Sequence, residues 1–235
     1  MSKQSPVLRR LVKLSAVALG VGLVLTACSP AKVGSAAIVG NQRSTIATLD
    51  TEVTNLSQTV KLYPTTVPLS QVQQTQQTLT WLIRFQVNDE LARQAGITVS
   101  SAQAQQALDD IYAQAKSSAQ AQGISNVTLN LILVANGIPP NLSQEVGRYQ
   151  AINNEFVKQA NGGTEPAAGT SAANAAAAQL TKARCLAAKT LKIQVNPQFG
   201  QLNYNQVAIV AAPSAVFRAP GPVKSSSQSG LSPNC

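Results

Sequence analysis

Side chains that usually carry chemistry are sparse in this chain, and the missing types narrow its function first. Histidine does not occur, so a Ser-His-Asp or Cys-His nucleophile, a His-ligated zinc and a histidine general base are all excluded. The carboxylates are Asp50, Glu52, Asp89, Glu90, Asp109, Asp110, Glu145, Glu155 and Glu165. Asp89-Glu90 and Asp109-Asp110 are chain neighbours. On a helix neighbours project about 100° apart, so neither pair converges as an acid and its base. Serine-lysine chemistry needs no histidine, but Ser117 and Ser118 beside Lys116 are only adjacent residues of a polar helix. No catalytic residue, metal ligand or cofactor follows from these side chains, and an enzyme is the least expected class.

The three cysteines are Cys28, Cys185 and Cys235. Cys28 closes an uncharged stretch over residues 14–27 that follows Lys3, Arg9, Arg10 and Lys13, the charge order of a secretory signal. As a helix that stretch is about 21 Å long, against a hydrocarbon core of roughly 30 Å, too short for a stable span. The run Leu25-Thr26-Ala27-Cys28 resembles the lipobox of bacterial lipoproteins. That resemblance implies a signal peptide over 1–27, lipid attached to the Cys28 thiol before cleavage, and a mature chain anchored at the outer face of the cell membrane. The competing reading is an ordinary signal peptide cut elsewhere, with Cys28 a plain thiol. Acyl chains contribute ~0.8 kcal/mol per buried methylene, so a multiply acylated cysteine would hold firmly. Outside the cytoplasm Cys185 and Cys235 either oxidise to a disulfide that ties the C-terminus to a helix or stay as two thiols.

Charge read over the whole chain misleads. Of 18 basic residues four precede Cys28, leaving 14 against nine acidic ones, a net +5 on the mature chain. The remaining Lys and Arg are scattered. Only Lys182, Arg184, Lys189 and Lys192 gather, with few aromatics near them to stack on bases, so a nucleic-acid partner is not expected and the cluster reads as a solvated helix face.

The elements that must position these residues read as mainly α. Residues 36–39 form a short apolar strand ending at the turn pair Gly40-Asn41. A helix from Thr45 carries Ile46, Leu49, Val53, Leu56 and Val60 at spacings of three and four and ends before Pro64. After a linker with Pro64 and Pro68, the longest helix covers about 69–95, with Gly96 as its C′ residue. Val72, Leu79, Ile83, Val87 and Leu91 form its stripe, widened by Leu82. Trp81 and Phe85 fall nearly opposite, which either sandwiches the helix in the domain centre or lines an exposed apolar groove. Ser100 and Gln103 have capping-box spacing for a helix to about Gln122, with Leu108, Ile111, Tyr112 and Ala115 inward. A short helix over about 126–136 carries Leu129, Ile132 and Leu133. A further helix over 142–160, capped by Asn141 with Gln144, carries Val146, Tyr149, Ile152 and Phe156. Residues 161–178 have the composition of a flexible tether, with helix resuming near Ala173 and running to about Thr190. Leu191, Ile193 and Val195 then alternate as a strand. Residues 201–218 read as a short extended segment whose apolar run 207–212 is either a strand or a docked extended stretch, and 219–235 as a disordered tail unless Cys235 ties it down.

The order of parts, Ala36-Ala37-Ile38-Val39-Gly40-Asn41, Thr45, Leu49-Asp50, a long helix and then Gly96-Ile97-Thr98-Val99-Ser100, resembles the N-terminal domain of SurA-type and PrsA-type extracytoplasmic chaperones. The likeness is strongest to SurA-N-like lipoproteins of actinobacteria. Val195-Asn196-Pro197-Gln198-Phe199-Gly200 looks like that family's returning C-terminal strand, which pairs with the first strand. The resemblance covers about 36–200, after a lipid-anchored linker over 28–35. It implies a mainly helical domain with a small β pairing that holds unfolded or secreted polypeptides. Family members often carry a parvulin isomerase domain where this chain has only residues 161–178, so isomerase activity is not implied. The order Gly40-Asn41 replaces the usual Asn-Gly at the hairpin and leaves its turn geometry open. Candidate client contacts, chosen on residue type, are Trp81, Phe85, Tyr112 and Tyr149. A cell-envelope structural or partner-docking lipoprotein without clients remains the alternative. A transporter's solute-binding lipoprotein would need two α/β lobes, which this pattern lacks.

Overall fold

The computed structural model describes residues 33–63, 69–211 and 235. Leu25, Thr26, Ala27, Cys28 and the rest of the predicted signal peptide lie outside them, as do Pro64, Pro68 and residues 212–234 of the extended segment and tail. Strand β1 is Ser35–Val39, and it turns through Gly40 and Asn41 into β2, Gln42–Thr45. Val39 pairs with Gln42, so the turn has two residues. Gly40 takes φ 58°, and glycine at the first of two turn positions suits a type II′ hairpin as well as Asn-Gly suits type I′. That explains how the reversed Gly-Asn order still closes the hairpin. A Cβ at Gly40 would also stand only 3.0 Å from Leu191 Cδ2.

Thr45 caps helix α1, Ile46–Val60, its hydroxyl accepting from Thr48 N. The longest helix, α2, is Gln71–Ala95. It opens on a capping box made by Ser70 and Gln73 and closes on Gly96 in the left-handed conformation. Helix α3, Ser101–Ala121, uses the Ser100 and Gln103 box that the spacing predicts. Helix α4 is Leu129–Ala135, shorter than the predicted 126–136. Helix α5 is Ser143–Ala160. Asn141 does not cap it: it lies in a single 3-10 turn, Pro140–Leu142, and its side-chain amide donates to Glu52 Oε2 at 2.7 Å instead. The predicted tether is also shorter than its composition suggests. Thr170 caps helix α6, Ser171–Thr190, so residues 171–178 are helical and only 161–170 connect the two helices. Alanine, abundant there, is the best helix former, in keeping with a helix resuming near Ala173.

Strand β3 is Gln194–Val195, less than the alternation from Leu191 suggests, because Leu191 closes α6 and Lys192 takes φ 49°. It pairs antiparallel with β1 through Ala37 and Val195, giving a three-stranded sheet in the order β2-β1-β3. Asn196 lengthens the seam, its backbone N–H donating to Ala36 O and its side-chain amide to Ser35 O. The chain is thus mainly helical with a small antiparallel sheet, and the returning strand pairs with the first.

Beyond residue 200 the apolar run 207–212 holds a strand, one of its two alternatives, and that strand has a partner. Strands β4, Gln201–Asn203, and β5, Ala208–Val210, form a second antiparallel hairpin, and its Val207 and Ile209 belong to the main core. The helical domain therefore does not end at 200; Gly34–Cys235 is one unit. The hairpin is fastened to α2 where the buried Thr80 hydroxyl accepts from Ile209 N at 2.9 Å. Valine at position 80 keeps the shape but strands that amide, and we expect a loss of about 1–3 kcal/mol in urea unfolding.

Helix α2 runs through the centre. One face, Leu79, Ile83, Val87 and Leu91, packs on β1, α1 and α6 residues in the main core. The other, Trp81, Leu82 and Phe85, meets Leu108, Leu133, Ile138, Leu142 and Val146. Val72, placed in the stripe by its spacing, is 66% exposed because it sits at the free first turn. On the far side of the second core α3 and α5 approach closely at Gly147, where a Cβ would come 2.4 Å from the Ala104 carbonyl oxygen. Alanine is the better helix residue by about 1 kcal/mol, yet here it forces the two backbones apart. Gly147→Ala is therefore expected to lower stability by roughly 1–2 kcal/mol net by thermal or urea denaturation.

Candidate binding site

Three of the four aromatic candidates come together although they lie on different helices. Trp81 and Phe85 on α2 have ring centroids 5.8 Å apart, and Tyr149 on α5 stands edge-on to both, at 5.6 and 6.1 Å. The pairing of α2 with α5 is held by the buried Asn88, whose side-chain amide donates to Tyr149 O at 3.0 Å. All three rings are half-buried. The indole N–H of Trp81 donates to Asn136 O at 3.2 Å, so its polar edge is satisfied within the chain.

Guanidinium groups cover the rings. Arg84 lies 5.1 Å from the centroid of Trp81 and Arg184 4.9 Å from that of Tyr149, distances at which a cation is attracted to a ring face. Arg84 also donates from Nε to Val207 O at 3.1 Å and from Nη2 to Gln206 O at 3.2 Å, holding the β4–β5 turn. Val207 takes φ 46° there, a strained conformation for a β-branched residue. Between these groups is a cavity of about 210 Å³ lined by Arg84, Val87, Tyr149, Arg184, Gln206 and Val207. Arg184 is not the solvated helix-face residue that its cluster suggests. Burial lowers its pKa from the ordinary guanidinium value; Tyr149 opposes that shift and the charge of Arg84 adds to it. It remains a cation at any ordinary pH.

No family model matches the chain, and no curated protein or solved structure does.

Tyr112 does not join the other rings. Its hydroxyl donates to Val127 O at 3.1 Å, and Lys116 lies 5.9 Å from its ring centroid. Both of these partners line a separate, open depression of about 500 Å³ at the α3–α4 connection, where Ile124 is 50% exposed. Cys185 and Cys235 are joined in a disulfide with Cα atoms 5.7 Å apart, which fixes Cys235 to α6 one residue from Arg184. The carboxylate pairs are engaged separately: Asp89 accepts from Arg148 Nε at 2.9 Å, and Glu90 accepts from Arg93 Nε at 2.8 Å. Asp109 and Asp110 accept from Gln105 and Gln106 on their own helix. Among the described residues no group of three His, Cys, Asp or Glu side chains is arranged to hold a metal ion, and no helix is long and apolar enough to cross a membrane.

Sequence reasoning missed Arg84, Arg184, Gln206 and Val207. Arg84 had a signal, since positions 81, 84 and 85 share one side of a helix. The other three reach the site through tertiary contacts with no local pattern.

Proposed function

We propose that this chain is an extracytoplasmic lipoprotein, anchored through acyl chains on Cys28, whose helical body holds unfolded or secreted polypeptides without catalysing their isomerisation. The anchor reading rests on the basic, apolar, Leu-Thr-Ala-Cys order of the N-terminus. The SurA-N-like order of strand, long helix and returning strand supports a chaperone-like body. The observation that carries the holding role is the trio Trp81, Phe85 and Tyr149, half-buried and faced by Arg84 and Arg184. Apolar faces framed by polar groups suit weak, sequence-tolerant binding, and ordering a flexible client keeps the affinity low.

One observation favours the second reading, a lipoprotein that docks a fixed partner. Trp81 already has its indole N–H satisfied and its ring packed on the chain's own second core. Crosslinking the anchored protein in its own envelope separates the two. Capture of many unrelated secreted chains is the expected result; a single constant partner would replace the holding role with the docking one.

A further inference from the structure

Arg84 and Arg184 present two positive charges to one small cavity, and none of the chain's Asp or Glu side chains forms an ion pair with either. All nine Asp and Glu residues lie among the described residues. The ion pairs these form are Glu90 with Arg93, Asp89 with Arg148 and Glu155 with Lys158; none involves Arg84 or Arg184. The residues outside the described ones contain no Asp or Glu at all. Arg84 uses its donors on Val207 O and Gln206 O. Arg184 has its Nε buried with no hydrogen-bond partner. Leaving a buried donor of a charged group unmade is costly, and like charges facing one cavity repel each other, so an acceptor that brings negative charge would stabilise the arrangement.

From this geometry we infer that the cavity between α2, α5, α6 and the β4–β5 turn is a binding site for a single small oxyanion group, a carboxylate or a phosphate. A guanidinium offers paired N–H donors matched to two oxygens of either group. Tyr149 and Gln206 line the same space, and each carries a side-chain donor. Val87 and Val207 form its apolar wall. About 210 Å³ admits such a group and a short attached chain, well below the volume of a drug-sized pocket, roughly 300–1,000 Å³. Left-handed Val207 has a place in this account: its conformation turns the carbonyl to Arg84 while the side chain stays in the core. The site stands on Arg84 and Arg184 and is independent of whether the chain holds clients.

Trp81 is the chain's one tryptophan and lies beneath Arg84, so its emission reports on the cavity. The full chain in detergent is titrated with sodium phosphate and, separately, with sodium acetate, sodium chloride holding ionic strength constant. We expect a saturable change in Trp81 emission, with a rise in melting temperature, for at least one of the two anions. Saturation with phosphate alone assigns a tetrahedral group, and saturation with acetate a carboxylate; either upholds the site. Arg184→Gln should weaken that binding at least tenfold, and Arg184→Lys, which keeps the charge but loses the fork, should weaken it less. Lys182→Gln, an exposed charge change on the same helix, should leave it unaltered. The inference is overturned if neither anion saturates beyond the chloride control, if both Arg184 variants bind as the parent does, or if Lys182→Gln weakens binding as much as Arg184→Gln.

Discussion

Replacing Ile83 by alanine should lower the unfolding free energy by about 2–5 kcal/mol, the range for a fully buried large aliphatic side chain. Ile83 is 0% exposed, midway along α2, and shares one cluster with Ala36, Ala37 and Val39 of β1, Leu49 and Val53 of α1, and Leu180, Ala187 and Ala188 of α6. The cluster is assembled from several helices and strands held by their own backbone hydrogen bonds, which limits how far they can collapse into the space. Val72→Ala on the same helix removes apolar atoms from a position 66% exposed and should change stability by no more than about 0.5 kcal/mol. Urea unfolding of both variants measures the contrast. Similar losses at the two positions would mean that α2 is not the central element.

The second large effect concerns the Cys185–Cys235 bridge, which joins residues 50 apart in sequence. Cross-linking a loop of that length removes denatured-state entropy equivalent to about 4 kcal/mol, an upper value on the chain-entropy account. Cys235→Ser breaks the bridge from its less buried end, since Cys185 is only 2% exposed. We expect a lower urea midpoint in the variant, approached by the parent protein under reducing conditions. Equal midpoints with and without reductant would show that the two thiols are unpaired in the native chain. Loss of the bridge should also loosen the C-terminal half of α6, which carries Arg184.

Features set by neighbouring residues were legible in the sequence. The Ser100–Gln103 box and the Gly96 stop need only spacing and backbone freedom, and both are where the pattern puts them. The core stripe of α2 follows from a period of 3.6; the second apolar side left a central helix or an exposed groove open, and it packs, partly buried, on the second core. Asn141 had equally good cap spacing, but Glu52, 89 residues away, takes its side chain. The β4–β5 hairpin has no run of alternating apolar residues to announce it. It exists because Thr80 and Arg84, more than 120 residues earlier, satisfy its Ile209 amide and its Gln206 and Val207 carbonyls.

The same division holds at the candidate site. Residue type alone nominated Trp81, Phe85 and Tyr149, and the packing of α2 on α5 gathers them; Tyr112, on α3, points to its own connection instead. Arg184 was unreadable because sequence shows a basic cluster with Lys182, Lys189 and Lys192, while only the fold shows that α6 turns that one member inward over Tyr149.

Where the protein resides determines what it can meet, and on the proposed reading a lipid on Cys28 would determine where it resides. Intact-mass analysis of the chain purified from its own cells is therefore the most direct test. The account predicts a polypeptide that begins at Cys28, heavier than its amino-acid mass by the lipid it carries, and found with the membrane. An unacylated chain that keeps residues 1–27 and fractionates with the cytosol would contradict it.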